Sequence, residues 1–241
     1  MAVKILLLQA RHQHDEAKIE ERHSFAIATG VPTENITPFD LLAAAPTLSK
    51  IKQFDALMIG GSGDFYVSKK DFPHLSQLLD VLQEVVAAGQ PTFASCFGFQ
   101  LIVQALGGNI IYDPDHMEVG TFPVTLTQAG QADELFADMP QTFRAQIGRK
   151  DRAEYLPDGF LHLASSANAP FQALRVPNKP IWATQFHPEL TKHENSKRFQ
   201  RYIDGYASQL TPDELQKTLA RFDDSPEADG LLQRFMTLVF G

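Results

Sequence analysis

The chain has 241 residues, 44% of them apolar, which is enough for a substantial core and favours one large α/β domain over two small ones. Its 21 lysines and arginines against 29 aspartates and glutamates leave a net charge of −8, which argues against non-specific nucleic-acid binding. A single cysteine excludes an internal disulfide, and the opening apolar run, Met1 to Leu8, is too short for a secretion signal or a membrane span, so a cytoplasmic chain without membrane association is expected.

Val3 to Ala10 is apolar apart from Lys4 and Gln9 and reads as a strand buried on both faces of a parallel sheet. His12-Gln13-His14 reads as a polar loop after that strand; no second ligand cluster stands at zinc spacing, and neither a metal nor a cofactor is expected. Glu16 to Thr29 reads as a helix stopped by Gly30. Phe54 to Ile59 is a second apolar run, ending in Gly60-Gly61-Ser62-Gly63-Asp64, a loop able to bring backbone close to a ligand. No lysine follows it at Walker spacing, so it is not a nucleotide phosphate loop. Leu75 to Ala88 is an amphipathic helix closed by Gly89, Pro91 to Ser95 a strand, and Phe97 to Leu106 a helix closed by Gly107-Gly108.

From Asn109 to Phe186 the pattern changes to short β-rich segments, including Val119 to Thr127, Thr142 to Ile147, Phe160 to Ser165 and Ile181 to Phe186. They read as an antiparallel extension whose last strand returns to the main sheet. Lys150-Asp151-Arg152, with Arg149, reads as a solvated turn without a catalytic task. Near the C-terminus, Thr191 with Glu194 and Thr211 with Glu214 have capping-box spacing, and Pro212 and Pro226 stand at first-turn positions. The expected fold is α/β, an open, mostly parallel sheet flanked by helices, with a small antiparallel β extension and extra C-terminal helices. Residues 1–206 form the domain, and the helical extension 207–241 packs on it through Leu215, Leu219, Phe222, Leu231, Leu232, Phe235, Leu238 and Val239.

A lone cysteine is more often a small core residue than a nucleophile. Cys96 stands, however, in Ala94-Ser95-Cys96-Phe97-Gly98-Phe99-Gln100, where an apolar strand turns into a helix, and first-turn amides there can stabilise negative charge. Far downstream, Gln185-Phe186-His187-Pro188-Glu189 supplies an imidazole with a carboxylate two residues away, able to hold the ring in one tautomer. Nucleophile, base and orienter are Cys96, His187 and Glu189. The amides of Gly61 and Phe97 are the expected oxyanion donors.

These three stretches together resemble the class I glutamine amidotransferases, with their G-x-C-x-G-x-Q, their later Q-F-H-P-E and an early glycine loop. Within that family the resemblance, over residues 3–206, is to the glutaminase domain of GMP synthase and its stand-alone relatives. It implies a flavodoxin-like sheet, a Cys96-His187-Glu189 triad, Gln100 as a contact to bound glutamine, and the backbone of Ala169-Pro170-Phe171 holding the glutamine amino and carboxylate groups. It also implies glutamine or another γ-glutamyl compound as substrate, and a separate ATP-dependent synthetase partner to use the ammonia, since the residues after 206 are too few to form one. A stand-alone γ-glutamyl hydrolase, and a non-catalytic binding protein of the same fold, are the alternatives. The chain departs from the family at Ala94, Ser95 and Phe99, and where the family usually carries Trp-His-Gly-Asp it reads Gln146-Ile147-Gly148-Arg149-Lys150-Asp151.

Overall fold

The structure, a computed structural model, describes residues 2–207 and 210–241. The strands in chain order are β1 (Ile5–Ala10), β2 (Ile36–Asp40), β3 (Ala56–Ser62), β4 (Thr92–Ser95), β5 (Asn109–Tyr112), β6 (Glu118–Leu126), β7 (Thr142–Arg149), β8 (Asp151–Tyr155), β9 (Leu161–Ser165), β10 (Ala173–Arg175) and β11 (Ile181–Thr184). The helices are α1 (Ala17–Thr29), α2 (Leu48–Ile51), α3 (Leu75–Ala88), α4 (Phe97–Ala105), α5 (Gln128–Gln131), α6 (Lys192–Arg201), α7 (Ile203–Ala207), α8 (Pro212–Leu219), α9 (Pro226–Asp229) and α10 (Leu231–Phe240).

Nine strands form one sheet in the order β2-β1-β3-β4-β11-β10-β9-β6-β7, and β5 pairs with β8 in a separate ribbon. The pairings from β2 across to β11 are parallel, and those from β11 on to β7 are antiparallel. The mostly parallel sheet and its antiparallel extension are therefore one continuous surface, joined where β11 returns beside β4.

The continuous apolar run of β1 follows from coverage on both faces. Ile5 and Leu7 point into one core with Phe25 of α1, Met58, Phe93, Trp182 and Phe235 of α10. Leu6 and Leu8, one residue out of phase, point into the other with Ile59, Leu78 and Leu82 of α3, and Leu101 of α4. In the C-terminal extension, Leu231, Leu232 and Phe235 are buried, and the Phe235 ring meets Phe93 and Trp182 at 5.7 and 5.9 Å. Leu238, expected on the same apolar face, is instead 43% exposed, because the buried stripe of α10 runs through Leu231, Leu232, Phe235 and Met236.

Gly60-Gly61-Ser62, expected in a loop, are the last residues of β3. This extra length carries Gly61 up to the sheet's carboxyl edge. Both C-terminal capping boxes are present, with the threonine side chain accepting from the N3 amide and the glutamate reaching back to the cap. Among the described residues, no helix is long and apolar enough to cross a membrane.

Candidate active site

The parallel register sets Ser95 of β4 beside Thr184 of β11. The segments that follow, carrying Cys96 and Gln185 to Glu189, thus emerge together at the carboxyl edge of the sheet, where open α/β sheets hold their ligands. Cys96 joins β4 to α4 at φ 52° and ψ −101°, a backbone conformation unusual for an L residue. Its N–H donates to Thr184 O at 2.8 Å and its carbonyl accepts from Gln100 N at 3.1 Å, so the turn is held from both sides. Helix α4 lies close enough to β3 that a Cβ at Gly98 would stand 2.6 Å from Ile59 O. Only glycine permits that approach, which fixes the helix start under the sulfur. The Cys96 sulfur itself lies 3.8 Å from Gly148 O.

His187 is anchored by its N–H, which donates to Gln146 O at 2.8 Å, and its Nδ1 lies 2.7 Å from Glu189 Oε1. The ring rests over Gly61, where an added Cβ would stand 2.9 Å from Cε1. Burial disfavours the imidazolium, but the negative charges of Glu189 and Cys96, with side-chain hydrogen bonds to both, outweigh it and lift His187 to about 10. Burial likewise favours a neutral Glu189; the His187 charge and hydrogen bond, aided by Arg198, hold its carboxyl below the usual range.

Behind the pair lies a buried ionic row. Arg198 Nη1 stands 4.0 Å from Glu189 Oε1 and 3.9 Å from Glu21 Oε1, and Glu21 accepts from Arg11 Nη2 at 2.8 Å. Arg11 Nη1 donates to the Tyr202 hydroxyl at 2.8 Å, which in turn donates to Asp15. The row ties α1 and α6, far apart in the chain, to the Glu189 carboxylate.

Two narrow cavities meet at the site and share Ser62, Gly63, Gly148 and Tyr206. One, about 30 Å³, is lined by Cys96, Phe97, Gln100 and Tyr66; the other, about 40 Å³, by His187, Arg11, Arg198 and Tyr202. Gln100 Nε2 donates to Gln185 Oε1 at 3.2 Å and Asp151 O at 3.3 Å, linking α4 to the strand that leads to His187. The Phe97 ring is buried against Phe72 at 5.3 Å, which leaves its backbone, at the head of α4, as the part beside the sulfur. Phe171 stacks edge-on against His162 at 4.9 Å and is not among the residues that line the cavity beside Cys96.

Of the stretch expected as a solvated turn, all but the half-buried Arg152 is buried instead. Arg149, Lys150 and Asp151 are 3%, 4% and 2% exposed and line the Cys96 cavity. Each charge has a partner far away in sequence: Glu118 for Arg149, the Gly205 carbonyl and Tyr206 ring for Lys150, and Ser68 for Asp151. Burial, with the charge of Lys69, pushes the Lys150 ammonium down, and burial pushes Asp151 up against the hydrogen bonds of Ser68. Nothing local in the sequence marks these pairings, nor those of Arg11, Glu21 and Arg198. His12 and His14 remain on the loop after β1, and among the described residues no cluster of His, Cys, Asp or Glu could hold a metal ion.

An α/β sheet with a cysteine on the turn after a central strand, next to a buried imidazole and carboxylate, places this protein among cysteine-bearing α/β enzyme folds. More particularly, residues 31–203 match the model of the glutamine amidotransferase class-I family, and the chain belongs to that family. It is 34% identical over 158 residues to the glutamine-hydrolyzing GMP synthase of Desulfotalea psychrophila, a match covering 64% of this chain and 28% of that one. With one of the subunits of the glutamine-hydrolyzing GMP synthase of Methanocaldococcus jannaschii it shares 30% identity over 122 residues, 51% of this chain and 63% of that polypeptide. The chain thus spans about a third or less of the undivided GMP synthases it matches. A crystal structure of a glutamine amidotransferase from Thermotoga maritima has the same fold, with a TM-score of 0.75 and 18% identity over 100% of both chains.

Proposed function

We propose that the chain hydrolyses the side-chain amide of glutamine through a γ-glutamyl thioester on Cys96, releasing glutamate and ammonia. The observation that carries this reading is the buried His187-Glu189 pair, 2.7 Å apart, with the His187 side chain hydrogen-bonded to a sulfur held at the strained turn between β4 and α4. The Cys96 thiolate attacks the amide carbon, and the amides of Gly61 and Phe97 receive the oxyanion. Collapse of the tetrahedral adduct breaks the carbon–nitrogen bond, and His187 passes its proton to the leaving ammonia. Water, deprotonated by His187 while Glu189 keeps the ring in place, then cleaves the thioester, and the proton returns with the departing thiolate. Each oxyanion donor is worth about 3 to 4 kcal/mol in the transition state. Gln100 contacts the bound glutamine, and the backbone around Phe171 takes part in holding its amino and carboxylate groups.

The ammonia acceptor is activated by a separate ATP-dependent synthetase. Support comes from the similarity to one polypeptide of a GMP synthase built from subunits. One observation favours a second reading, hydrolysis of γ-glutamyl amides or peptides without a partner: Gly148, Arg149, Lys150 and Asp151 line the Cys96 cavity, in the stretch where the family usually carries Trp-His-Gly-Asp. Turnover of glutamine and of γ-glutamyl peptides by the purified chain, with and without an ATP-dependent partner recovered by pull-down, separates the two. Cys96→Ala abolishes turnover and leaves the melting curve in place; retained hydrolysis in that variant overturns the mechanism.

A further inference from the structure

Glu189 is buried, and among the described residues two cationic groups stand within 4.0 Å of its carboxylate. One is His187, whose Nδ1 is 2.7 Å from Oε1; the other is Arg198, whose Nη1 is 4.0 Å from the same oxygen. The two are not equivalent. In the reaction proposed above, the imidazole gives its proton to ammonia and is then neutral until water cleaves the thioester. Over that interval a carboxylate with only the imidazole for a partner would be a buried charge facing none, and such a group takes up a proton rather than stay ionised. A guanidinium keeps its charge throughout. Burial and the charge of Arg11 pull Arg198 down, and Glu21 and Glu189 pull it back.

Glu21, 3.9 Å from Arg198 Nη1, has partners of its own: it accepts from Arg11 Nη2 at 2.8 Å and from Gln9 Nε2 at 3.0 Å. Nη1 and Nη2 of Arg198 are buried and make no hydrogen bond, so the guanidinium acts on Glu189 as a fixed charge and leaves Oε1 to the imidazole. We propose that Arg198 is a positioning residue that keeps Glu189 ionised while His187 is neutral, so that the ring still donates from Nδ1 when it draws a proton from water. A neutral Glu189 would instead donate to Nδ1 and leave the proton on the ring's other nitrogen, where the base must be free to accept. Loss of Arg198 therefore slows hydrolysis of the thioester more than its formation, in which the imidazolium itself faces Glu189. The inference rests on the thioester reading.

The experiment is glutamine turnover by the full chain, quenched in acid at steady state, with the γ-glutamyl adduct on Cys96 counted by intact mass spectrometry. Arg198→Met lowers kcat by about tenfold or more, changes kcat/KM little and raises the fraction of chains that carry the adduct. A defect of folding or packing lowers kcat/KM together with kcat and does not load the cysteine. Because Arg198→Met leaves the row short of a positive charge, Glu189→Gln is measured with and without it. The double change is balanced in charge, and in that background the loss of Arg198 has no further effect on kcat or on the adduct. A fall of kcat/KM in step with kcat, an adduct fraction that does not rise, or a further loss on top of Glu189→Gln overturns the proposal. Any of these with adduct present on the wild type removes the role of Arg198 alone; no adduct on any of the chains removes the thioester reading and this inference with it.

Discussion

At His187 burial and charge pull in opposite directions, and charge wins: the ring keeps its proton to about 10 because Glu189 and Cys96 face it. Glu189→Gln takes away the first of those charges. An imidazolium is lost as pH rises through its folded value, so the basic limb of the activity profile moves to lower pH in the variant, and the His187 ring titration followed by NMR falls with it. A limb and a titration that both stay in place contradict this account of the pair. Two glycines separate stability from chemistry at the same scale. Gly98→Ala drives a Cβ to 2.6 Å from the Ile59 carbonyl, a backbone atom that cannot swing away. It lowers the unfolding free energy in urea by about 1 to 3 kcal/mol. Gly61→Ala meets the edge of the His187 ring at 2.9 Å. It displaces the imidazole proposed as the base, so kcat falls while the urea midpoint stays close to that of the wild type.

Helix α6 carries Arg198 to within 4.0 Å of Glu189, and its position depends on the clamp to α1. Glu20 of α1 accepts from Arg201 Nη1 and Lys197 Nζ of α6, each at 2.6 Å. The Arg201 hydrogen bond, then that of Lys197, overcomes burial and holds Glu20 down at about 2. A carboxylate lowered on folding contributes stability that is complete above its unfolded value, 4.5, and is lost as pH falls towards about 2. The melting difference between wild type and Glu20→Gln is therefore constant near neutrality and closes between those two values; because the pair is partly exposed, added salt shrinks it. A difference independent of pH contradicts the clamp. Elements of this kind were legible where their signals are local: Thr191 with Glu194 reads as a helix start because both halves of the box lie within one turn. Strand β2 was not, because it is an edge strand with Thr37, Pro38 and Phe39 outside the deep core, so no apolar run marks it. β8 was hidden for the opposite reason: its leading charge, Asp151, is buried, but the partner of that charge, Ser68, comes from a distant segment.

Across the whole molecule the sheet's two faces set what the sequence reveals. Cys96, His187 and Glu189 were legible because each sits in a short stretch whose chemistry is visible by itself. The ionic row of Arg11, Glu21 and Arg198 was not, because only the closed fold unites residues so far apart. The C-terminal helix is part of the same closure: Phe235 packs on Phe93, two strand positions before the residue preceding Cys96, and on Trp182. Phe235→Ala costs about 3 to 5 kcal/mol of stability. Trp182, the only tryptophan, reports the change directly, as an earlier fluorescence transition in denaturant. An unchanged midpoint means that α10 is dispensable to the core. The measurement that bears most directly on the account as a whole is interception of the covalent intermediate. Hydroxylamine added during glutamine turnover diverts a thioester into γ-glutamyl hydroxamate, so the wild type forms hydroxamate at the expense of glutamate, and Cys96→Ala forms neither. Glutamate release at the full rate with no hydroxamate, or from the Cys96→Ala chain, contradicts it.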